Sequence, residues 1–201
     1  MTTPVQFYFD FSSPYAYMAA MRIDELAAKY GRAVDWHPIL LGIIFKTTET
    51  KPLVALPLKG PYSRLDLARS ARFHNIPFGI PTVFPIATQH AARAMLWIKN
   101  QHGSDVAKQF AKKVLQAYFV DDVAIGEMAS VVAIAGQCGL DEQQVEAGLQ
   151  QQDIKDQLKA DVDKAMSLGV FGAPYITIDG EPFWGFDRFD QIEATLKNGK
   201  I

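Results

Sequence analysis

The residues with the plainest chemical potential are Ser12-Ser13-Pro14, set between an alternating apolar run, Val5 to Phe11, and an apolar-periodic stretch that continues towards Tyr30. Serine is a preferred N-cap and proline a preferred first helical residue, so the triplet reads as the opening of a helix. At such an opening the first backbone N–H groups have no intrahelical partner and the dipole is positive, which stabilises a bound anion, a thiolate included. Ser13 therefore stands where a redox protein would place a cysteine. On local pattern alone, plain capping by Ser12 or Ser13 is the simpler reading.

The other reactive side chains narrow the chemistry. Cys138 is the only cysteine, so an intrachain disulfide is excluded. It follows a helix-like apolar stretch and has no basic neighbour in sequence, as expected of a small core filler rather than a reactive thiol. His37, His74, His90 and His102 lack metal-ligand spacing, and no metal is expected. Neither a glycine-rich phosphate loop nor a Ser-His-Asp order is present. A net charge of −2 without a Lys/Arg run argues against a nucleic-acid partner. No stretch approaches the ~18 apolar residues of a membrane span, and no membrane partner is expected. Met1-Thr2-Thr3-Pro4 has no basic region and leads straight into a strand, which points to a cytoplasmic protein.

These residues must be positioned by regular elements. The first part reads as strand, helix, strand: Val5 to Phe11, Tyr15 to Tyr30 and Ala33 to Ile39, a βαβ unit with parallel strands and a right-handed crossover. The end reads as a hairpin and a helix. Tyr175 to Ile178 and Pro182 to Trp184 flank Asp179-Gly180, with Glu181-Pro182 lengthening the loop, and Asp187 opens the last helix or caps it. Between them, about Tyr62 to Leu168, the period becomes helical, with Gly126, Gly139 and Asp141 as punctuation. Residues 42–60 read as a long loop. The expected fold is α/β: a thioredoxin-like βαβ–ββα sheet (residues 1–45 and 168–201) carrying a large all-helical insertion (residues 46–167). In that architecture the segment before the third strand, here Gly169 to Tyr175, passes beside the first helix's N-terminus. A trans Ala173–Pro174 bond is the default from sequence, whereas a cis bond would turn the Ala173 backbone towards Ser13.

The ordered set Phe7-Tyr8-Phe9-Asp10-Phe11-Ser12-Ser13-Pro14-Tyr15-Ala16-Tyr17, Lys59-Gly60-Pro61-Tyr62 with Asp66-Leu67, Gly169 to Pro174 and Phe183-Trp184-Gly185-Phe186-Asp187 resembles the 2-hydroxychromene-2-carboxylate isomerases. These belong with kappa-class glutathione transferases in the branch of thioredoxin folds that includes DsbA-like oxidoreductases. The resemblance implies glutathione as cofactor and Ser13 as the catalytic residue, with a cis-proline at Pro174. It further implies that Ala173 meets the cysteinyl part of glutathione by its backbone, Phe186 by backbone and Asp187 by carboxylate meet its γ-glutamyl end, and Lys59 meets its glycyl carboxylate. Ser12, Thr50 and Ser70 depart from the family pattern.

Such assignments make chemical sense, because a zwitterionic tripeptide needs a carboxylate for its amine, cations for its carboxylates and an edge of backbone for its peptide groups. Ser13-Pro14-Tyr15-Ala16 holds no sulfur, so dithiol exchange is excluded there. The implied activity is glutathione-dependent cis-trans isomerisation of an aromatic hydroxy-carboxylate. The alternatives are a kappa-like transferase or peroxidase, and a non-catalytic binding module. Tyr15, Tyr62 and Arg93 are candidate contacts for the substrate, with stacking on Trp97 as the plainer role for Arg93. A homodimer is expected by family likeness.

Overall fold

A computed structural model describes residues 3–201; Met1 and Thr2, the first residues of the lead-in read above, lie outside the described residues. Strand β1 (Val5–Phe9) is followed by helices α1 (Pro14–Ala20) and α2 (Ile23–Lys29) and by strand β2 (Val34–Pro38). β1 and β2 pair in parallel with Phe7 opposite Trp36. One helix was expected over Tyr15 to Tyr30, but the chain breaks at Met21-Arg22. Met21 closes α1, and Arg22 leaves helical geometry at φ −124. The break lets Arg22 lay its guanidinium 5.8 and 5.4 Å from the ring centroids of Phe186 and Phe189, a tertiary gain that a local pattern does not contain.

Residues 42–60 are not a structureless loop. They hold most of α3 (Leu41–Thr47) and a 3-10 turn at Leu53–Ala55, ahead of α4 (Lys59–Phe73). α3 has no cap from its own Leu40; the Asp10 carboxylate accepts the Leu41 N–H at 2.7 Å instead. A helix capped from a distant strand leaves no capping signature in its own sequence.

Five further helices follow: α5 (Gln89–His102), α6 (Ser104–Phe119), α7 (Met128–Gln137), α8 (Glu142–Leu149) and α9 (Gln152–Ser167). Asp141 caps α8 by accepting the Gln144 N–H, as its position before a periodic run suggests. α5 lies at the centre of this group, and its Ala91, Ala94, Met95 and Ile98 are buried against neighbours that include Phe110 and Val114 of α6.

The chain then returns to the sheet through β3 (Tyr175–Ile178) and β4 (Glu181–Trp184), both antiparallel to their neighbours, giving the strand order β2-β1-β3-β4. The hairpin loop is two residues, not the longer loop expected. Ile178 pairs with Glu181, and Asp179 and Gly180 both take positive φ, 51 and 92, as a tight primed turn requires. Pro182 is tolerated because β4 is an edge strand. A 3-10 turn at Phe186–Arg188 leads into α10 (Phe189–Asn198).

This is the thioredoxin-like βαβ–ββα sheet with helices inserted between its halves. Alternation along the strands gives each sheet face its own cover. Phe7, Phe9, Trp36 and Ile176 fill the larger core, where Phe7 and Phe9 stack at 5.3 Å and Trp36 meets Phe7 edge-on at 5.0 Å. Tyr8 and Tyr175 face the opposite side with Ile39, Ile44 and Val170. Among the described residues no helix is long and apolar enough to cross a membrane.

Candidate functional site

Ser13 follows β1 and touches the segment that enters β3, the strand with which β1 pairs. It is the N-cap of α1 in extended geometry, 6% exposed, and its Oγ accepts the Ala16 N–H at 3.2 Å. Its own N–H donates to the Asp10 carbonyl at 2.9 Å. The Ser13 hydroxyl donates to the carbonyl oxygen of Ala173 at 3.0 Å. The Ala173–Pro174 bond is cis, and the Pro174 carbonyl accepts the Gly185 N–H at 3.1 Å. The turn before α1, the entrance to β3 and the exit from β4 are thus joined by two hydrogen bonds, one from the Ser13 hydroxyl and one between backbone groups.

Above this junction opens a cleft of about 1330 Å³. Ser13, Tyr15, Ala173, Pro174, Phe186 and Asp187 all line it. One wall comes from α3 and the 3-10 turn, including Leu41, Phe45 and Val54; another comes from Leu67 of α4; a third from Phe84 to Gln89 ahead of and entering α5. Lys46, Lys51 and Arg188 are the cations on the wall, and Asp66 and Asp187 are among its carboxylates.

Lys59, Tyr62 and Arg93 are not brought to this wall. Lys59 stands exposed at the first position of α4. Tyr62 is 63% exposed on the outer face of the same helix, with Arg69 5.8 Å from its ring. Arg93 is half-buried in α5, and Trp97 packs instead edge-on to His102 and against Gly148. Helical spacing gave no means of telling which side of α4 or α5 the cleft would take.

Tyr15 is already engaged within the cleft. Its hydroxyl donates to Asp66 Oδ2 at 2.6 Å, and Asp66 in turn meets Arg69 at 3.0 Å. Burial, then the Asp66 acceptor, raises the Tyr15 phenol well above its ordinary range. The Tyr15 donor, helped by Arg69, holds Asp66 below the usual carboxylate range.

Asp187 does not cap the last helix. α10 begins at Phe189 with no side-chain cap, while the Asp187 carboxylate pairs with Arg188 at 3.2 Å and folds back over Gly185. Gly185 has φ 110, which requires glycine, and a side chain there would also have to displace the exposed Asp187 carboxylate.

Cys138 closes α7, half-buried and away from the cleft lining. Burial pushes its thiol up, against a weaker pull from Lys113. Charged residues of the cleft wall that sequence reasoning did not single out as candidates include Asp10, Asp66, Lys46 and Lys51. Asp10 stands inside the quoted motif, but only its three partners in space distinguish it from a strand-end aspartate.

The profile of the DSBA-like thioredoxin domain family matches residues 4–197. The chain is 26% identical over 206 residues to a 2-hydroxychromene-2-carboxylate isomerase of Sphingobium xenophagum, covering 98% of this chain and 99% of that protein. It is 28% identical over 206 residues to glutathione S-transferase kappa 1 of Caenorhabditis elegans, covering 96% and 90%. Among solved structures, a 2-hydroxychromene-2-carboxylate isomerase superposes with a TM-score of 0.86 at 25% identity, over 97% of this chain and 95% of the other.

Proposed function

This chain belongs to the DSBA-like thioredoxin domain family, and from that premise we propose that it is a glutathione-dependent isomerase of 2-hydroxychromene-2-carboxylate or a similar aromatic hydroxy-carboxylate. The observation that carries the proposal is the buried Ser13 hydroxyl beside Ala173 in a cleft without a cysteine. If such a site performs thiol chemistry, having no cysteine of its own, its sulfur comes from a bound molecule.

The donor set fits glutathione. Asp187 supplies a carboxylate for the α-amine, and the Phe186 backbone lies beside it. Ala173, next to Pro174 and just outside the β3 ladder, presents backbone to a peptide group. We assign the glycyl carboxylate to Lys51 or Lys46, which line the cleft, in preference to Lys59, which does not. When bound, glutathione supplies a thiolate that adds reversibly to the substrate and is recovered at the end of each turn. Ser13 donates its hydroxyl hydrogen to the sulfur, turning it away from Ala173, and the positive end of α1 favours the charged form. Tyr15, Leu41, Phe45 and Phe84 form walls against which an aromatic ring packs. Tyr62 and Arg93 receive no role. The cytoplasm, where glutathione is kept reduced, is the expected compartment, and a homodimer the expected assembly.

Incubation of the protein with 2-hydroxychromene-2-carboxylate tests this reading. Conversion should require glutathione and leave its concentration unchanged. No conversion at millimolar glutathione overturns this acid as the substrate, and no conversion of related aromatic hydroxy-carboxylates either overturns the isomerase reading. The kappa-class relative supports a second reading as a transferase, in which an electrophilic aromatic halide consumes glutathione stoichiometrically.

A further inference from the structure

We propose that Asp10 is a positioning residue that sets Ser13 and the mouth of the cleft through a three-way hydrogen-bonded clamp. The inference rests on the glutathione reading only for its second readout.

Asp10 follows β1 and is 2% exposed. Its Oδ1 accepts the Ser12 N–H at 2.7 Å and the Thr88 hydroxyl at 3.1 Å, while Oδ2 accepts the Leu41 N–H at 2.7 Å. Its main-chain carbonyl accepts the Ser13 N–H. One residue therefore holds the Ser12-Ser13 turn from both its side chain and its backbone. It also fixes the first residue of α3 and the residue preceding α5, and all three segments line the cleft. Two neighbouring features fit this role. α3 has no cap of its own and takes Asp10 as a substitute, and Thr88, placed to cap α5, makes no cap bond because its hydroxyl is turned to Asp10. Three donors on one buried carboxylate are also the arrangement that keeps such a group satisfied. Burial raises the Asp10 carboxyl above its ordinary value and these donors pull it back.

Asp10→Asn keeps the shape but sets an NH2 group against one of the backbone donors. In the glutathione-free protein, amide hydrogen exchange should accelerate roughly tenfold or more at whichever of Ser12 and Leu41 then faces the NH2 group, while exchange within α6 stays unchanged. Unchanged exchange at both amides overturns the clamp. With glutathione bound, the change in thiol pKa on Asp10→Asn should be more positive in the parent than in the Ser13→Ala background, where the direct effect of the lost charge remains but there is no hydroxyl left to position. Equal shifts in the two backgrounds mean that Asp10 does not act through Ser13. Thr88→Val removes one of the three bonds without altering a charge, and carries both measurements if Asp10→Asn does not fold. It should accelerate exchange at Ser12, and an unchanged rate counts against the proposal. Failure of the parent protein to bind glutathione would remove the functional reading and leave the exchange result to decide the clamp.

Discussion

The Ser13 hydroxyl lies 3.0 Å from the carbonyl oxygen of Ala173, a residue 160 positions away in sequence. That carbonyl accepts the hydrogen that a bound thiolate would need. Donation to sulfur therefore exchanges one acceptor for another, and the negatively charged acceptor forms the stronger hydrogen bond. The contact also ties the start of α1 to the entrance of β3, so one oxygen serves the fold and the proposed chemistry.

Ser13→Ala removes both the donor and the α1 cap. Loss of the cap should cost about 1 kcal/mol in a denaturant titration. The pKa of bound glutathione, followed by thiolate absorbance, should rise, and turnover should fall on the order of 100-fold. Ser13→Cys should create a thiol that labels faster at neutral pH than Cys138, whose thiol burial pushes up.

Asp187→Asn should weaken glutathione binding by roughly tenfold, read by calorimetry, because it replaces a charged acceptor for the ligand's amine with a neutral one. Its side chain is 73% exposed and its partner Arg188 is also open to solvent. Unfolding free energy should therefore stay within about 0.5 kcal/mol of the parent.

Two glycines pack against tryptophans with different freedom. Gly148→Ala drives a methyl group into Trp97, which is 6% exposed and has nowhere to move, and should cost about 1–3 kcal/mol. Gly172→Ala meets Trp184, which is 54% exposed and can swing outward, so its urea midpoint should change much less.

Acid should destabilise the protein before its carboxylates titrate. Burial lowers the pKa of His37 below 6.5, with Asp35 opposing and Lys99 assisting. Burial, with a nearby arginine, also lowers His74 and His90. A group whose folded pKa is depressed binds fewer protons folded than unfolded, so its stabilisation is complete above 6.5 and declines as pH falls below it. The melting temperature should drop between pH 7 and pH 5.5, and His37→Gln should flatten part of that slope.

The helix start at Ser13-Pro14 and the Asp179-Gly180 turn were legible because each depends on neighbours a few residues away. Periodicity marked α7 over Met128–Gln137 and cores of the helices around it for the same reason. The break at Met21-Arg22 was not legible, since rings of Phe186 and Phe189 stabilise it from the far end of the chain. α3 was missed because its cap lies on Asp10.

By itself, the sequence determined that the chain builds a βαβ and a ββα half around a helical block, and that the site at Ser13 has no sulfur. Resemblance selected Ser13, Ala173, Phe186 and Asp187, all of which line the cleft. Only the tertiary structure decided that Lys46 and Lys51 face that cleft while Lys59, Tyr62 and Arg93 do not, and that Asp10 joins three of its walls. The physical reason is that local pattern reports which residues share a face, whereas the side on which that face meets a cavity is set by the packing of segments distant in sequence.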